Sequence, residues 1–517
     1  MKKLSDKAGE LFMVGYAGTD PTAASELIRR HHVGGIILFS RNVKDAAHTW
    51  AVCKKLQELR REVSDTPLFI AIDQEGGCVA RITEGVTVFP GNMALGATGS
   101  ESFTRGAGRV MAGELARLGI NVNFAPVLDI SSNPRNPGVG ARSFSSDPAL
   151  VARLSSAMIR AMQEDGLCAT AKHFPGLGEA KVDSHDELPV VDAAVEIMEG
   201  REFLPFYSAI EAGVAFIMTA HCAYPRLDRS GAPATLSEPI LTGLLRKRMG
   251  FKGIVITDCL EMAGVEKTFT PAQSALKAAA AGANILLICH TREKQVAAIE
   301  ALARSIEADP AFESAIGSSL EVISSAKNRL TGRGDAASPE FGREKNLSES
   351  IAVEATTIVR NEGPLIPLKL ASSETLAVIV PGFEALTKVE ENAEPQGVLV
   401  GEIKQRHPRL EYHTVAVNPT PDEMLACSVT CRSADVILIL TYNLHQYPAQ
   451  RDLVHALLAL GKPSIVAAVR DPYDLGFIPQ ARACVATYSF RECSLKALVR
   501  VLFGESEARG KLPVKLG

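Results

Sequence analysis

The sequence predicts an α/β chain of two units: a (β/α)8 TIM-like barrel followed by a smaller doubly wound α/β sandwich domain. Three observations predict it. Eight short apolar, β-branched runs alternate with stretches of helical period through the first two thirds of the chain. Ionisable residues gather at the same end of five of those runs, the pattern expected where a barrel carries its chemistry. A polar stretch with Pro and Gly then precedes a second, shorter series of strand-like runs.

The eight runs occupy 11–16, 34–39, 68–77, 121–130, 168–176, 215–221, 253–258 and 284–289. Helix candidates between them include 46–63 and 102–119. Near-continuous apolar strands require cover on both faces, hence a parallel sheet jacketed by helices, and eight of them predict closure. From about 300 to 350 the pattern loosens, which sets the expected units at 1–336 for the barrel, 337–350 for a linker and 351–517 for the second domain. A helix over 348–362 opens that domain, and strands are expected within 375–382, 410–417, 435–443, 464–472 and 483–490.

Composition narrows the class. At 517 residues, 46% hydrophobic and 22% charged, the chain is globular and multi-domain. A net charge of −4 with interspersed signs gives no nucleic-acid footprint and no polybasic membrane anchor. The N-terminus lacks the apolar core of a secretory signal, and no apolar run reaches 18 residues, so no membrane span is expected. Ten cysteines are sparse, and Cys168, Cys289 and Cys484 sit in apolar runs, as reduced buried thiols of a cytoplasmic protein would. Cys427 and Cys431 are the close pair, with no His at zinc-finger spacing, so no metal is expected.

The strand ends carry Asp73-Gln74-Glu75, Asp129, Lys172-His173, His221 and Asp258. Lys172 through Gly178 leave the fifth run as a Gly/Pro loop that continues to Asp183-Ser184-His185. Two positions apart in extended chain, Asp183 and His185 project the same way, and a carboxylate beside an imidazole raises its pKa, as a proton-shuttling histidine needs. A capping Asp and a satisfied loop His would read identically. Asp258 at the tip of the seventh run is a candidate carboxylate nucleophile and equally a candidate helix cap. Gly176-x-Gly178 lacks the residues of a phosphate loop.

Taken together, DQEGG (73–77), LGINVNFAPVLD (118–129), KHFPG (172–176) with DSH (183–185), and VITDCLEM (255–262) resemble the glycoside hydrolase family 3 β-N-acetylglucosaminidases. The likeness extends to AVRDPYDL (468–475) and GKLPV (510–514). It implies a retaining exo-hydrolase with Asp258 as nucleophile and His185, partnered by Asp183, as general acid/base. Asp73, Arg81, Arg142, Lys172 and His173 would hold the sugar, an N-acetylglucosamine-containing oligosaccharide or muropeptide, without metal or organic cofactor. Leu177 and Cys78 depart from the His and Arg usual in the family; both are expected to flank the sugar pocket and so put substrate preference, more than activity, in question. Three other readings stay open here. One is a family 3 β-glucosidase or xylosidase taking its acid from Glu384, Glu390, Glu391 or Glu394. The others are an N-acetylglucosaminide phosphorylase and an inactive sugar-binding protein.

Overall fold

The computed structural model describes residues 4–330, 342, 344–390 and 393–516. Each of the eight expected runs contributes a barrel strand: β1 Phe12–Val14, β2 Gly35–Leu38, β3 Phe69–Ile72, β6 Val122–Asn123, β7 Cys168–Phe174, β8 Phe216–Thr219, β9 Ile254–Cys259 and β10 Ile285–Ile288. Every neighbouring pair is parallel, and β1 closes on β10. The strands are buried on both faces because amphipathic helices cover the outside and side chains fill the middle. Caps written in the sequence start those helices. Asp45 accepts from His48 N ahead of Ala46–Arg61, Ser100 accepts from Phe103 N ahead of Glu101–Arg117, and Asp147 precedes Pro148–Glu164 with its proline at the first turn.

Several runs are longer than their strands. In 121–130 only Val122–Asn123 pairs regularly, since Pro126 has no N–H for the ladder, although Leu128 N rejoins it at Lys172 O, 2.6 Å away. The third run leaves the barrel at Ile72, and β4 Gln74–Gly76 folds back on β5 Val79–Ala80 as an antiparallel hairpin at the barrel mouth. Order continues past 300 in helices Arg292–Ala308 and Pro310–Asn328.

The expected linker, 337–350, lies in part outside the described residues, and its last six positions are the first turns of helix Lys345–Ala355. The helix expected over 348–362 therefore ends early. The β-branched Thr357-Ile358-Val359 prefers a pleated surface and forms β11, Thr357–Asn361, antiparallel to the sheet edge. The sheet order is β11-β16-β15-β14-β12-β13, with β12 Leu376–Pro381, β13 Leu410–Val415, β14 Val436–Thr441, β15 Ser464–Ala468 and β16 Ala483–Ala486. Beyond the β11 edge every pair is parallel, so this is a doubly wound α/β unit with one antiparallel edge. Its core reaches back to Cys78, Val79, Met93, Ala94, Ala97 and Ala141, packing the two units together. Among the described residues no helix is long and apolar enough to cross a membrane.

Candidate active site

A cavity of about 450 Å³ opens at the C-terminal end of the barrel strands. All eight site residues singled out in the sequence line it: Asp73, Arg81, Arg142, Lys172, His173, Asp183, His185 and Asp258. Phe39, Phe124, Leu177, Met218, Met262 and Leu287 supply its apolar wall.

The floor is a buried charge cluster. Lys172 Nζ donates to Asp73 Oδ1 at 2.8 Å and lies 2.7 Å from Glu75 Oε1. Arg142 grips Glu75 with two parallel donations, from Nε at 3.0 Å and Nη2 at 2.8 Å, while Nη1 donates to Gly138 O. Three of that guanidinium's five N–H groups are thus spent on protein acceptors. Burial alone would raise the Glu75 carboxyl, but Arg142 and Lys172 pull it to about 2. Arg81 faces Asp73 Oδ2 at 3.5 Å and donates from Nη1 to Val389 O at 2.7 Å. Asp129, fully buried, lies 2.7 Å from His173 Nδ1 and accepts from Leu177 N, which ties the start of the fifth loop to the fourth strand end.

Two register shifts aim the key side chains. Between Lys172 and Phe174 β7 gains a residue against β8, and between Ile256 and Cys259 β9 gains one against Ile285–Leu287 of β10. Adjacent residues on a regular strand point to opposite faces. A bulge cancels that alternation locally, which is why Lys172 and His173 share the cavity, as do Asp258 and Cys259.

Asp258 accepts from Cys259 N at 2.7 Å. Burial raises its carboxyl, yet the fields of His221, His173 and His185 hold it below the usual carboxylate range. His221 is buried between Thr235 Oγ1 at 2.7 Å and the Cys259 carbonyl at 2.9 Å, and the ring braces the backbone just after Asp258; burial pushes its pKa down against the opposing field of Asp258. Also lining the cavity, His185 Nδ1 lies 2.7 Å from Asp183 Oδ1, which also accepts from His185 N at 2.8 Å. Burial lowers the imidazole's pKa, but the Asp183 hydrogen bond and charge, with the field of Asp258, raise it overall.

The loop bearing this pair is pinned from three sides. Gly264 N donates to Ser184 O at 3.0 Å, and Lys388 of the second domain donates to His185 O at 3.2 Å and pairs with Asp186 at 3.1 Å. Near its start Gly178 passes so close to the fourth strand end that a Cβ would sit 1.8 Å from Ile130 O. Gly178→Ala is therefore expected to push the loop off its seat, cutting kcat/KM at least tenfold while thermal unfolding shows a folded barrel. Unchanged kcat/KM would show that the close approach does not position the loop.

Of the second domain the sequence offered Glu390 as a spare acid and missed Thr387, Lys388 and Val389; all four reach over and line the cavity. Glu390 is buried in an ion pair with Arg470. Glu384 and Glu394 are exposed and line no part of this cavity, and Glu391 lies outside the described residues. Of the two departures, Leu177 stands in the wall, whereas Cys78 does not flank the cavity as expected but is buried in the apolar packing between the units. The motifs AVRDPYDL and GKLPV act as buttresses. Asp471 accepts from Ala141 N at 2.7 Å beside Arg142, Tyr473 Oη meets Ser131 Oγ at 2.8 Å, and Pro513 O accepts from Ser146 N at 3.1 Å.

Comparison with known proteins places this architecture. Residues 3–325 match the glycosyl hydrolase family 3 N-terminal domain and residues 356–517 the family 3 C-terminal domain. The chain is 32% identical to beta-hexosaminidase A of Pseudoalteromonas piscicida over 96% of this chain and 91% of that protein. It is 28% identical to a beta-N-acetylglucosaminidase/beta-glucosidase of Cellulomonas fimi over 98% and 93%. A solved structure of a family 3 beta-N-acetylglucosaminidase from Paenibacillus sp. FPU-7 superimposes with a TM-score of 0.95 at 36% identity, covering 100% of this chain and 99% of that one. With both domains matched end to end, this chain belongs to glycoside hydrolase family 3.

Proposed function

We propose that the protein is a retaining exo-β-N-acetylglucosaminidase that removes terminal non-reducing N-acetyl-β-glucosaminyl groups. The observation that carries the reading is the Asp183–His185 pair at 2.7 Å on a loop lining the cavity that Asp258 also lines. Asp258, held ionised, attacks the anomeric carbon as the glycosidic C–O bond breaks, and the His185 imidazolium gives its proton to the departing oxygen. Neutral His185 then takes a proton from water, whose oxygen attacks the same carbon and frees the Asp258 carboxylate. Asp183 stabilises the imidazolium and fixes which ring nitrogen faces the sugar. Lys172, Asp73, Arg81, Arg142 and His173 bind the sugar in the −1 subsite, where a carboxylate such as Asp73 holds a ring hydroxyl more strongly as positive charge builds on the ring.

A carboxylic acid from the second domain is the poorer proton donor here. Glu390 is the described glutamate of that segment that reaches the wall, and it is already engaged in a buried ion pair with Arg470. The relatives named for hexosaminides direct the sugar assignment. The natural substrate we assign is an oligosaccharide or muropeptide fragment ending in N-acetylglucosamine. Ten cysteines with no disulfide among the described residues support a cytoplasmic site of action.

The test compares aryl N-acetyl-β-glucosaminide with aryl β-glucoside, with and without phosphate. Expected is free N-acetylglucosamine at a rate indifferent to phosphate, and kcat/KM at least tenfold higher than for the glucoside. A sugar phosphate as the main product, or preference for the glucoside, would overturn the reading.

A further inference from the structure

The rim of the cavity carries a second group of donors that hydrolysis does not use. Cys259 closes β9 immediately after Asp258, and Cys289 and His290 follow β10, its neighbour in the barrel. Their two sulfurs and a ring nitrogen lie within 4.8 Å of one another. Both thiols are buried and unpaired, and the exposed imidazole completes the triangle from the solvent side. Around a tetrahedral ion with metal–sulfur bonds of about 2.3 Å, donor atoms stand roughly 3.8 Å apart. The separation here lies within reach of a side-chain rotation at His290, whose ring is surface-exposed. Its backbone, by contrast, is fixed: Glu261 accepts from His290 N at 2.6 Å and from Thr291 N at 3.0 Å. The ring also rests on Phe39, centroids 5.4 Å apart.

Two sulfurs and an imidazole select a borderline-soft divalent ion over magnesium or calcium, which take oxygen. Three protein donors leave a fourth position toward the cavity. We propose that Cys259, Cys289 and His290 form a binding site for a zinc-class divalent cation at the edge of the sugar cavity. All three residues line that cavity together with Asp258. A dication held there stabilises the Asp258 carboxylate as an anion, weakens it as a nucleophile, and narrows the space for the sugar. The bound ion is accordingly a reversible inhibitor, not a cofactor. Binding itself does not depend on the catalytic assignment, because it is read by absorbance.

The test uses the full chain, treated with chelator and kept in a non-thiol reductant, titrated with Co²⁺. Expected is a thiolate-to-cobalt charge-transfer absorption that saturates at one ion per chain and is bleached by Zn²⁺. Cys259→Ser and Cys289→Ser each remove the saturable band, His290→Gln weakens binding at least tenfold, and Asp258→Asn keeps the band while losing turnover. Zn²⁺ inhibits aryl glucosaminide hydrolysis by the wild type, and half-inhibition moves at least tenfold higher in Cys289→Ser, measured against that variant's own metal-free rate. A titration with no charge-transfer band, or one equally strong in both serine variants, overturns the proposal.

Discussion

Asp258→Ala is expected to lower kcat/KM on aryl N-acetyl-β-glucosaminide by about 10⁵-fold, roughly 7 kcal/mol of transition-state stabilisation. The size follows from the proposed role as nucleophile. Without the carboxylate no covalent glycosyl-enzyme forms, and what remains is binding and the charge cluster around Lys172. Folding should survive, because the hydrogen bond that Asp258 accepts from Cys259 N is local and the charge removed is half-buried at the barrel mouth. A fluorinated slow substrate adds an independent readout. In the wild type, mass spectrometry should find the sugar on the peptide containing Asp258. A label on Asp73, Glu75 or Glu390 instead would discard the assignment, as would an alanine variant that turns over within tenfold of the wild type.

The second large effect concerns the proton. His185→Ala should cost about 10²–10⁴-fold on substrates with a poor leaving group and far less on activated aryl glycosides, whose oxygen leaves without help. The pH profile carries the finer test. Burial pulls the His185 pKa down, and Asp183 with Asp258 raises it above the ordinary imidazole value. The acid is therefore protonated below that raised pKa, and kcat/KM declines as pH climbs through it. The opposite limb belongs to Asp258, whose lowered pKa keeps the nucleophile ionised well into the acid range. In Asp183→Asn burial acts on the imidazole with less opposition, so the alkaline limb moves to lower pH while the acid limb stays. An unmoved alkaline limb would separate the pair from proton transfer and leave Asp183 a loop brace.

The eight barrel strands and the candidate residues that line the cavity were legible because both obey local rules. A strand covered on both faces must be apolar along its length, and a barrel's chemistry must sit after its strands. Runs such as 284–289 announce themselves, and so does Asp258 at the end of 253–258. The helix expected over 348–362 failed for an equally local reason, since its second half has a β-branched preference that the edge of β16 exploits. Arg142 shows the limit at the site. Its type and loop position were readable, but its bidentate hold on Glu75 depends on a partner 67 positions away. Cys78 was misjudged because sequence distance from Asp73 says nothing about which side of the β4–β5 hairpin it faces.

The sequence by itself determined the two-unit α/β architecture, the order of the barrel strands and the set of ionisable side chains delivered to one end of the barrel. Those outcomes rest on periodicity, capping and turn chemistry, which act over a few residues. Only the tertiary structure decided the rest. It chose where the ladders of β7 and β9 slip, and so which neighbours share the cavity. It brought Lys388 and Val389 over the DSH loop and Arg81, and set Cys259 beside Cys289 and His290 across adjacent strands. Contacts between residues tens or hundreds of positions apart come from packing and barrel closure, and no local pattern along the chain encodes them.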